Sequence, residues 1–317
     1  MPEKSFDATL KAGILGYGEV GTILSRALRE RGLAWVGVWD VLFRGSSQGA
    51  AMKSRAMEAG VEACTSLAAL IARSDIVISA VTAARAVEVA REAAASIRAG
   101  TFFLDLNSAS PAAKAEAAEL VDGAGAHYVE AGVMASVPPY GLGVPMLLGG
   151  KHAGALAKKL MPLGFDMTVV ADEIGVASAI KMCRSVFIKG LEAIVVESYT
   201  LARRHGVERQ LLASLAQTYP EIDWEKHGSY LFSRVARHGK RRAEEMREAA
   251  NTVREAGLDP WMSAATAETQ DRVAALSKSA QFGDLAPELG WRAYADKVIA
   301  ALKIPGTAEP KRSGRRS

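Results

Sequence analysis

Three groups of residues have types and spacings that suit chemistry. The first is Gly16-Tyr17-Gly18-Glu19-Val20-Gly21, set between an apolar run, Leu10 to Leu15, and a helix-compatible stretch, Thr22 to Glu30. In that setting Gly16 permits a tight turn, Gly18 lets backbone approach a pyrophosphate with no Cβ in the way, and Gly21 allows close helix–sheet packing. The N-terminus of the helix then faces an anion, with Tyr17, Glu19 and Val20 as the intervening backbone. Asp40 stands nineteen residues after Gly21, close to the spacing at which a carboxylate accepts from adenosine ribose hydroxyls and repels a 2′-phosphate. The pattern predicts a dinucleotide, NAD before NADP. Arg44 with Ser46 or Ser47 keeps a phosphate-bearing NADP open, and a helix-capping role for Asp40 is compatible with either. Val81 and Asn107, at the ends of two later apolar runs, complete the expected cofactor-binding set.

The second group is Lys181, Ser185, Lys189 and Glu192, which fall within about 80° of arc at 100° per residue. Such a stripe could line a cleft, or form a solvated face with a Lys189–Glu192 pair at i,i+3. The third is His238, Lys240, Arg241 and Arg242. A guanidinium there could grip a carboxylate bidentately; equally, the cluster could be a solvated helix end running into Glu244, Glu245, Arg247 and Glu248. The remaining histidines show no metal-ligand spacing, so no metal site is expected. Trp224, Tyr230, Trp261 and Trp291 could wall a pocket, although aromatics at helical spacing more often make core.

The elements that must position these groups follow two rhythms. Residues 10 to 171 alternate short apolar runs with Ala-rich helical stretches, the rhythm of a parallel sheet covered on both faces. The runs are Leu10 to Leu15, Ala34 to Trp39, Asp75 to Val81, Thr101 to Leu106, His127 to Val133, Met146 to Leu148 and Met167 to Ala171. Ser110 followed by Pro111 marks a helix start, to about Val121. After Asp172 apolar residues recur at helical spacing to Leu302. Ile180, Cys183, Val186, Phe187, Gly190, Leu191, Ile194 and Val195 form one stripe on a helix of roughly seven turns over 175 to 201, long enough to be buried as a spine or against a second subunit. The expected fold class is α/β: a Rossmann-type doubly wound parallel sheet over 1 to 171, an all-α domain over 172 to 305, and a mobile basic tail over 306 to 317.

Composition narrows the function classes. The 317 residues are 49% hydrophobic and 23% charged, as in folded soluble chains. The formal charge of +4 is concentrated in the last twelve residues, where Lys311, Arg312, Arg315 and Arg316 stand against Glu309, leaving +1 for the rest. A nucleic-acid-binding body is not indicated. No apolar run is long enough for a membrane span and no signal-peptide pattern opens the chain. Cys64 and Cys183 make no disulfide framework, so a cytoplasmic protein is expected.

Three further segments carry a family resemblance: Asp105-Leu106-Asn107-Ser108-Ala109-Ser110-Pro111, Glu130-Ala131-Gly132-Val133-Met134-Ala135-Ser136-Val137-Pro138, and Gly175-Val176-Ala177-Ser178-Ala179-Ile180-Lys181. With Gly16 to Gly21 they resemble the β-hydroxyacid dehydrogenases, which include 3-hydroxyisobutyrate and 6-phosphogluconate dehydrogenases, over residues 10 to 200. His238 to Met246 and Gly257 to Met262 resemble a less characterised branch with a phosphogluconate-dehydrogenase-like C-terminal domain. The resemblance implies that Lys181 is the catalytic lysine, and that Ser108 and the loop Met134, Ala135, Ser136 hold substrate beside the nicotinamide. An alcohol that loses hydride must also lose its hydroxyl proton, which a buried amine can exchange near neutral pH. Lys189, His238 and Arg241 are further substrate candidates.

Three departures from the family pattern refine this expectation. Ser185 replaces an asparagine four residues after the lysine, and would orient a substrate oxygen with Lys181. Met134-Ala135-Ser136 replaces Ser-Gly-Gly. Ile188 replaces the glutamate of the decarboxylating branch, which argues against oxidative decarboxylation. The expected activity is therefore non-decarboxylating, NAD(P)-dependent oxidation of a hydroxy acid or related polyol, by a homodimer closed along the long helix. Reduction of a C=N bond, or a nucleotide-sensing module without turnover, are the alternatives.

Overall fold

The computed structural model describes residues 6–45, 47–278 and 290–301. The strands are β1 (Lys11–Leu15), β2 (Trp35–Trp39), β3 (Glu62–Ala63), β4 (Ile76–Ser79), β5 (Phe102–Asp105), β6 (His127–Val133), β7 (Pro145–Gly149) and β8 (Asp166–Ala171). The helices between and after them are α1 (Glu19–Glu30), α2 (Ser47–Glu58), α3 (Leu67–Arg73), α4 (Ala86–Ala94), α5 (Pro111–Gly123), α6 (Ala153–Leu160), α7 (Val176–His205), α8 (Glu208–Thr218), α9 (Trp224–Glu255), α10 (Trp261–Ser277) and α11 (Trp291–Ala301). All eight strands form one sheet in the order β3-β2-β1-β4-β5-β6-β7-β8. Chain reversal about β1 and β4 makes it doubly wound, with the crevice for a ligand at their C-terminal ends.

The seven apolar runs read from the sequence are strands, and β4 and β5 are buried at every position, as parallel strands covered on both faces must be. Helix α5 starts where Ser110 and Pro111 place it: Ser110 Oγ accepts from Ala113 N at 3.4 Å. Two features depart from the simple alternation. β3 is two residues long, too short to leave a period. β7 runs antiparallel to β6, because the eleven residues between them hold only a short 3-10 turn, Gly141–Gly143, in place of the helical crossover that a parallel return needs.

The chain divides into two compact units, one of residues 1–186 with 247–260 and one of 187–246 with 261–317. The long helix α7 belongs to the first as far as Val186 and to the second from Phe187. In the second unit Val195, Val196, Tyr199, Phe232, Val235, Trp291 and Tyr294 form the core. Gly228 makes room for Tyr199, since a Cβ there would lie 2.2 Å from its ring. Trp224 and Trp291 are buried, whereas Tyr230 and Trp261 are exposed; these aromatics do not wall one pocket.

The apolar stripe of α7 is split. Val195 joins the core, but Ile180, Phe187 and Ile194 face outward, Phe187 with 71% of its surface exposed. The polar stripe takes the inner positions: Ser185, Lys189 and Glu192 are buried. Glu192 and Lys189 can turn inward because α9 supplies opposite charges for them in the second unit. Among the described residues no helix is long and apolar enough to cross a membrane. The expected basic tail lies outside the described residues.

Candidate active site

The turn from β1 to α1 has the geometry of a dinucleotide cradle. Gly16 has φ of +90° and a Cβ there would stand 2.4 Å from Ala80 O; a Cβ on Gly21 would stand 1.9 Å from Gly16 O. Both positions exclude any side chain. Gly18, by contrast, opens on empty space within 4 Å, and caps α1 with no side-chain hydrogen bond. A Cβ there would meet no protein, only what approaches the helix N-terminus. The residues therefore fit a pyrophosphate. The Tyr17 side chain is buried and packs edge-on against Phe43, so only its backbone is available to a ligand. Glu19 and Val20 begin α1 itself.

Asp40 serves the cap and the cradle together. Its Oδ2 accepts from Tyr17 N at 2.8 Å and its Oδ1 from Leu42 N at 2.9 Å. Each carboxylate oxygen keeps a second lone pair for a ribose hydroxyl. Arg44 lies over the Trp39 ring at 5.2 Å, on the same rim; Ser46 is outside the described residues.

At the ends of β4 and β5 the Asn107 amide is engaged twice. Its Oδ1 accepts from Val81 N at 2.7 Å and its Nδ2 donates to Ser79 Oγ at 3.0 Å. Asn107 thus ties Val81 to the neighbouring strand instead of offering a free amide. Beneath it lies a group that sequence reasoning missed. Lys114 of α5, 1% exposed, donates to Asp105 Oδ1 at 3.0 Å and to Asp105 O at 2.9 Å. Tyr128 OH donates to Asp105 Oδ2 at 2.7 Å, and Asn107 N to Oδ1 at 2.8 Å. Burial, then the neighbouring Asp105 carboxylate, pushes the Tyr128 phenol well above its usual range. No signal in the sequence distinguishes Lys114 from any lysine on a helix.

The lysine and serine named from the resemblance meet. Lys181 Nζ donates to Ser108 Oγ at 2.6 Å, and both residues are half-buried. Ser185 lies one turn further along α7, buried. Met134, Ala135 and Ser136 are half-buried after β6, with Met134 N bonded to Pro145 O at 2.9 Å. An amine in contact with a hydroxyl at the C-terminal end of a sheet can hold and release a proton at a substrate oxygen.

In the second unit Lys189 and Arg241 belong to ion pairs. Lys189 Nζ lies 2.9 Å from Glu245 Oε2, and Arg241 Nε 4.0 Å from Glu245 Oε1. Arg242 grips Glu192 with two nitrogens, Nε at 2.6 Å. In place of the Lys189–Glu192 pair weighed as one alternative for α7, two pairs run from α7 to α9. Burial raises the Glu192 carboxyl above its usual range, against the pull of Arg242. His238 is half-buried on α9 and Arg241 is exposed.

The chain matches the NAD-binding domain of 6-phosphogluconate dehydrogenase over residues 11–163 and the domain of unknown function DUF1932 over 202–273. A conserved hypothetical protein from Sinorhizobium meliloti 1021 is 35% identical, with 95% of this chain and 98% of that one covered and a TM-score of 0.75. A conserved protein of unknown function, described as structurally similar to 3-hydroxyacid dehydrogenases, is 31% identical over 86% of this chain and 100% of its own, with a TM-score of 0.66. The fold also occurs in 3-hydroxyisobutyrate dehydrogenase from Mycobacterium tuberculosis, at 19% identity, 92% and 100% coverage and a TM-score of 0.66. A cradle that fits a dinucleotide, the doubly wound sheet and these matches agree: the chain belongs to the NAD(P)-dependent, 3-hydroxyacid dehydrogenase-like oxidoreductases with a 6-phosphogluconate dehydrogenase-type NAD-binding domain and a DUF1932 domain.

Proposed function

We propose that the protein oxidises, reversibly and without decarboxylation, the carbinol carbon of a hydroxy acid or related polyol. The observation that carries this reading is the 2.6 Å contact between Lys181 Nζ and Ser108 Oγ. The nicotinamide, when bound, supplies the hydride acceptor. The chain supplies the rest: Ser108 and Ser185 orient the substrate hydroxyl, Lys181 Nζ takes its proton, and Met134, Ala135 and Ser136 wall the substrate. Val81, held by Asn107, backs the ring, while Gly16 to Gly21 hold the pyrophosphate and Asp40 the ribose. Asp40 favours NAD over NADP by charge. Ile188, an apolar residue seven positions after Lys181, offers no proton to a decarboxylated intermediate.

The test is turnover of hydroxy acids, sugar acids and bulkier diols with NAD and with NADP, followed at 340 nm, beside a panel of cyclic imines with the reduced cofactors. The reading expects oxidation of at least one hydroxy acid or diol, faster with NAD. Turnover confined to imines would replace it with C=N reduction, and no turnover on either panel would leave a nucleotide-binding module.

The protein is also proposed to act as a homodimer. Ile180, Phe187, Ile194 and Leu201 are exposed apolar residues at seven-residue intervals on α7, a spacing that drifts only ~20° per heptad and so makes one seam for another helix. A second copy offers the same seam, as two-fold symmetry requires. Sedimentation equilibrium at micromolar concentration should give a dimer for the native chain and a monomer for Phe187→Lys with Ile194→Lys. A native monomer would end this proposal.

A further inference from the structure

We infer that Glu130 is the positioning residue for Lys181, holding the first turn of α7 so that its amine meets Ser108; this rests on the role proposed for Lys181. The Glu130 side chain has no exposed surface. Its Oε1 accepts from Gly175 N at 2.7 Å and Ala177 N at 3.0 Å, and its Oε2 from Ser178 N at 3.3 Å. A buried carboxylate is costly unless it is fully hydrogen-bonded, and here the open N–H groups of a helix end and the positive end of its dipole do that work. The carboxylate therefore cannot move without moving the helix, and Lys181 lies one turn further on.

Two glycines build the same clamp. Gly149, opposite Glu130 in the β6–β7 register, leaves room for the carboxylate, since a Cβ there would lie 2.6 Å from Oε1. Gly132, two residues along β6 on the same face, lets α7 descend onto the strand. A Cβ at 132 would lie 2.8 Å from Ala177 O and 3.5 Å from Lys181 Cβ. The two glycines and Glu130 thus set the height and rotation of the turn that carries the amine. Lys181 meets Ser108 from the loop after β5 and packs over Gly132 of β6. Glu248 of α9 takes Ser110 N in the same loop at 3.0 Å, and Arg184 follows on α7 itself.

The experiment compares Glu130→Gln and Gly149→Ala with the native chain. Glutamine keeps the shape but turns a donor toward helix donors; alanine at 149 keeps the charge and pushes the carboxylate aside. Each should raise amide exchange in residues 175–182 at least about tenfold, through lost cap bonds, and change the acetylation rate of Lys181 relative to the other lysines, read by peptide mass spectrometry. On a substrate found by the panel, kcat should fall about 10- to 100-fold with KM and NADH affinity within about threefold, the signature of a misplaced group. Gly149→Ala should follow in the same direction if Glu130→Gln fails to fold. Unchanged exchange at 175–182 with unchanged Lys181 acetylation would overturn the clamp, as would unchanged kcat in variants whose melting temperature falls. Exchange and acetylation need no substrate, so they judge the clamp even if Lys181→Ala keeps full activity and the proposed chemistry fails.

Discussion

Lys181→Ala should lower kcat by about 10²- to 10⁴-fold, the usual contribution of a positioned acid–base group, with little change in NADH affinity. The expectation follows from what the amine touches: Nζ donates to Ser108 Oγ at 2.6 Å, where the substrate hydroxyl is proposed to sit, whereas the pyrophosphate cradle is built by backbone at Gly16 to Gly21. Lys181→Arg separates proton transfer from charge. Arginine keeps the positive charge and the length, but its guanidinium does not release a proton in proteins, so it should be as inactive as alanine. Added methylamine should restore part of the activity of Lys181→Ala and none of that of Lys181→Arg. The measurements are steady-state rates across the substrate panel and a fluorescence titration of NADH. An arginine variant within a few-fold of native kcat would show that a fixed charge suffices, and would remove Lys181 as the proton acceptor.

The second large effect concerns stability. Lys114→Met should destabilise the first unit by about 3–5 kcal/mol, the cost of leaving one partner of a buried ion pair alone. Asp105 would keep the Tyr128 hydroxyl and Asn107 N, two neutral donors, and lose the ammonium that takes both its carboxylate and its carbonyl. At about 2–4 °C per kcal/mol for a unit of this size, the melting temperature should drop by roughly 6–20 °C. Adding Asp105→Asn to Lys114→Met should recover much of the loss, because no buried charge remains. Since Asp105 holds Asn107, and Asn107 holds Val81, the single variant should also bind NADH more weakly. Calorimetry on both variants decides it: a drop under about 2 °C for Lys114→Met would mean that water or a rearranged partner satisfies Asp105.

The candidate site was unevenly legible. Gly16 and Gly21 were readable because local backbone geometry within one strand–turn–helix demands them, and Gly18 because the same spacing sets it at the helix N-terminus, where only a ligand would meet its side chain. The helix start at Ser110 and Pro111 was readable for the same reason. Lys181 and Ser108 are 73 residues apart, and no period links them; family resemblance, not pattern, brought them together. Asp40 was read as a ribose acceptor or a cap, and the fold binds it to two backbone N–H groups.

The misses have a common cause. Lys189 and Glu192 were weighed as an exposed pair because three residues on a helix are neighbours. The fold instead turns both inward, since α9 brings Glu245 and Arg242 against them. Glu130, Asp105 and Lys114 gave no warning for the same reason: whether a charge is buried depends on an opposite charge or a row of N–H groups arriving from elsewhere in the chain.

Sequence by itself determined the alternation of strand and helix, the glycine turn and the all-helical second half, since each follows from periods and φ preferences that operate over a few residues. Only the tertiary structure decided which carboxylates are desolvated, which helix face turns outward, and which strand residues hold the lysine-bearing turn. Those outcomes depend on distances between segments far apart in the chain, and burial in a low dielectric makes each worth several kcal/mol only once the partner is in place.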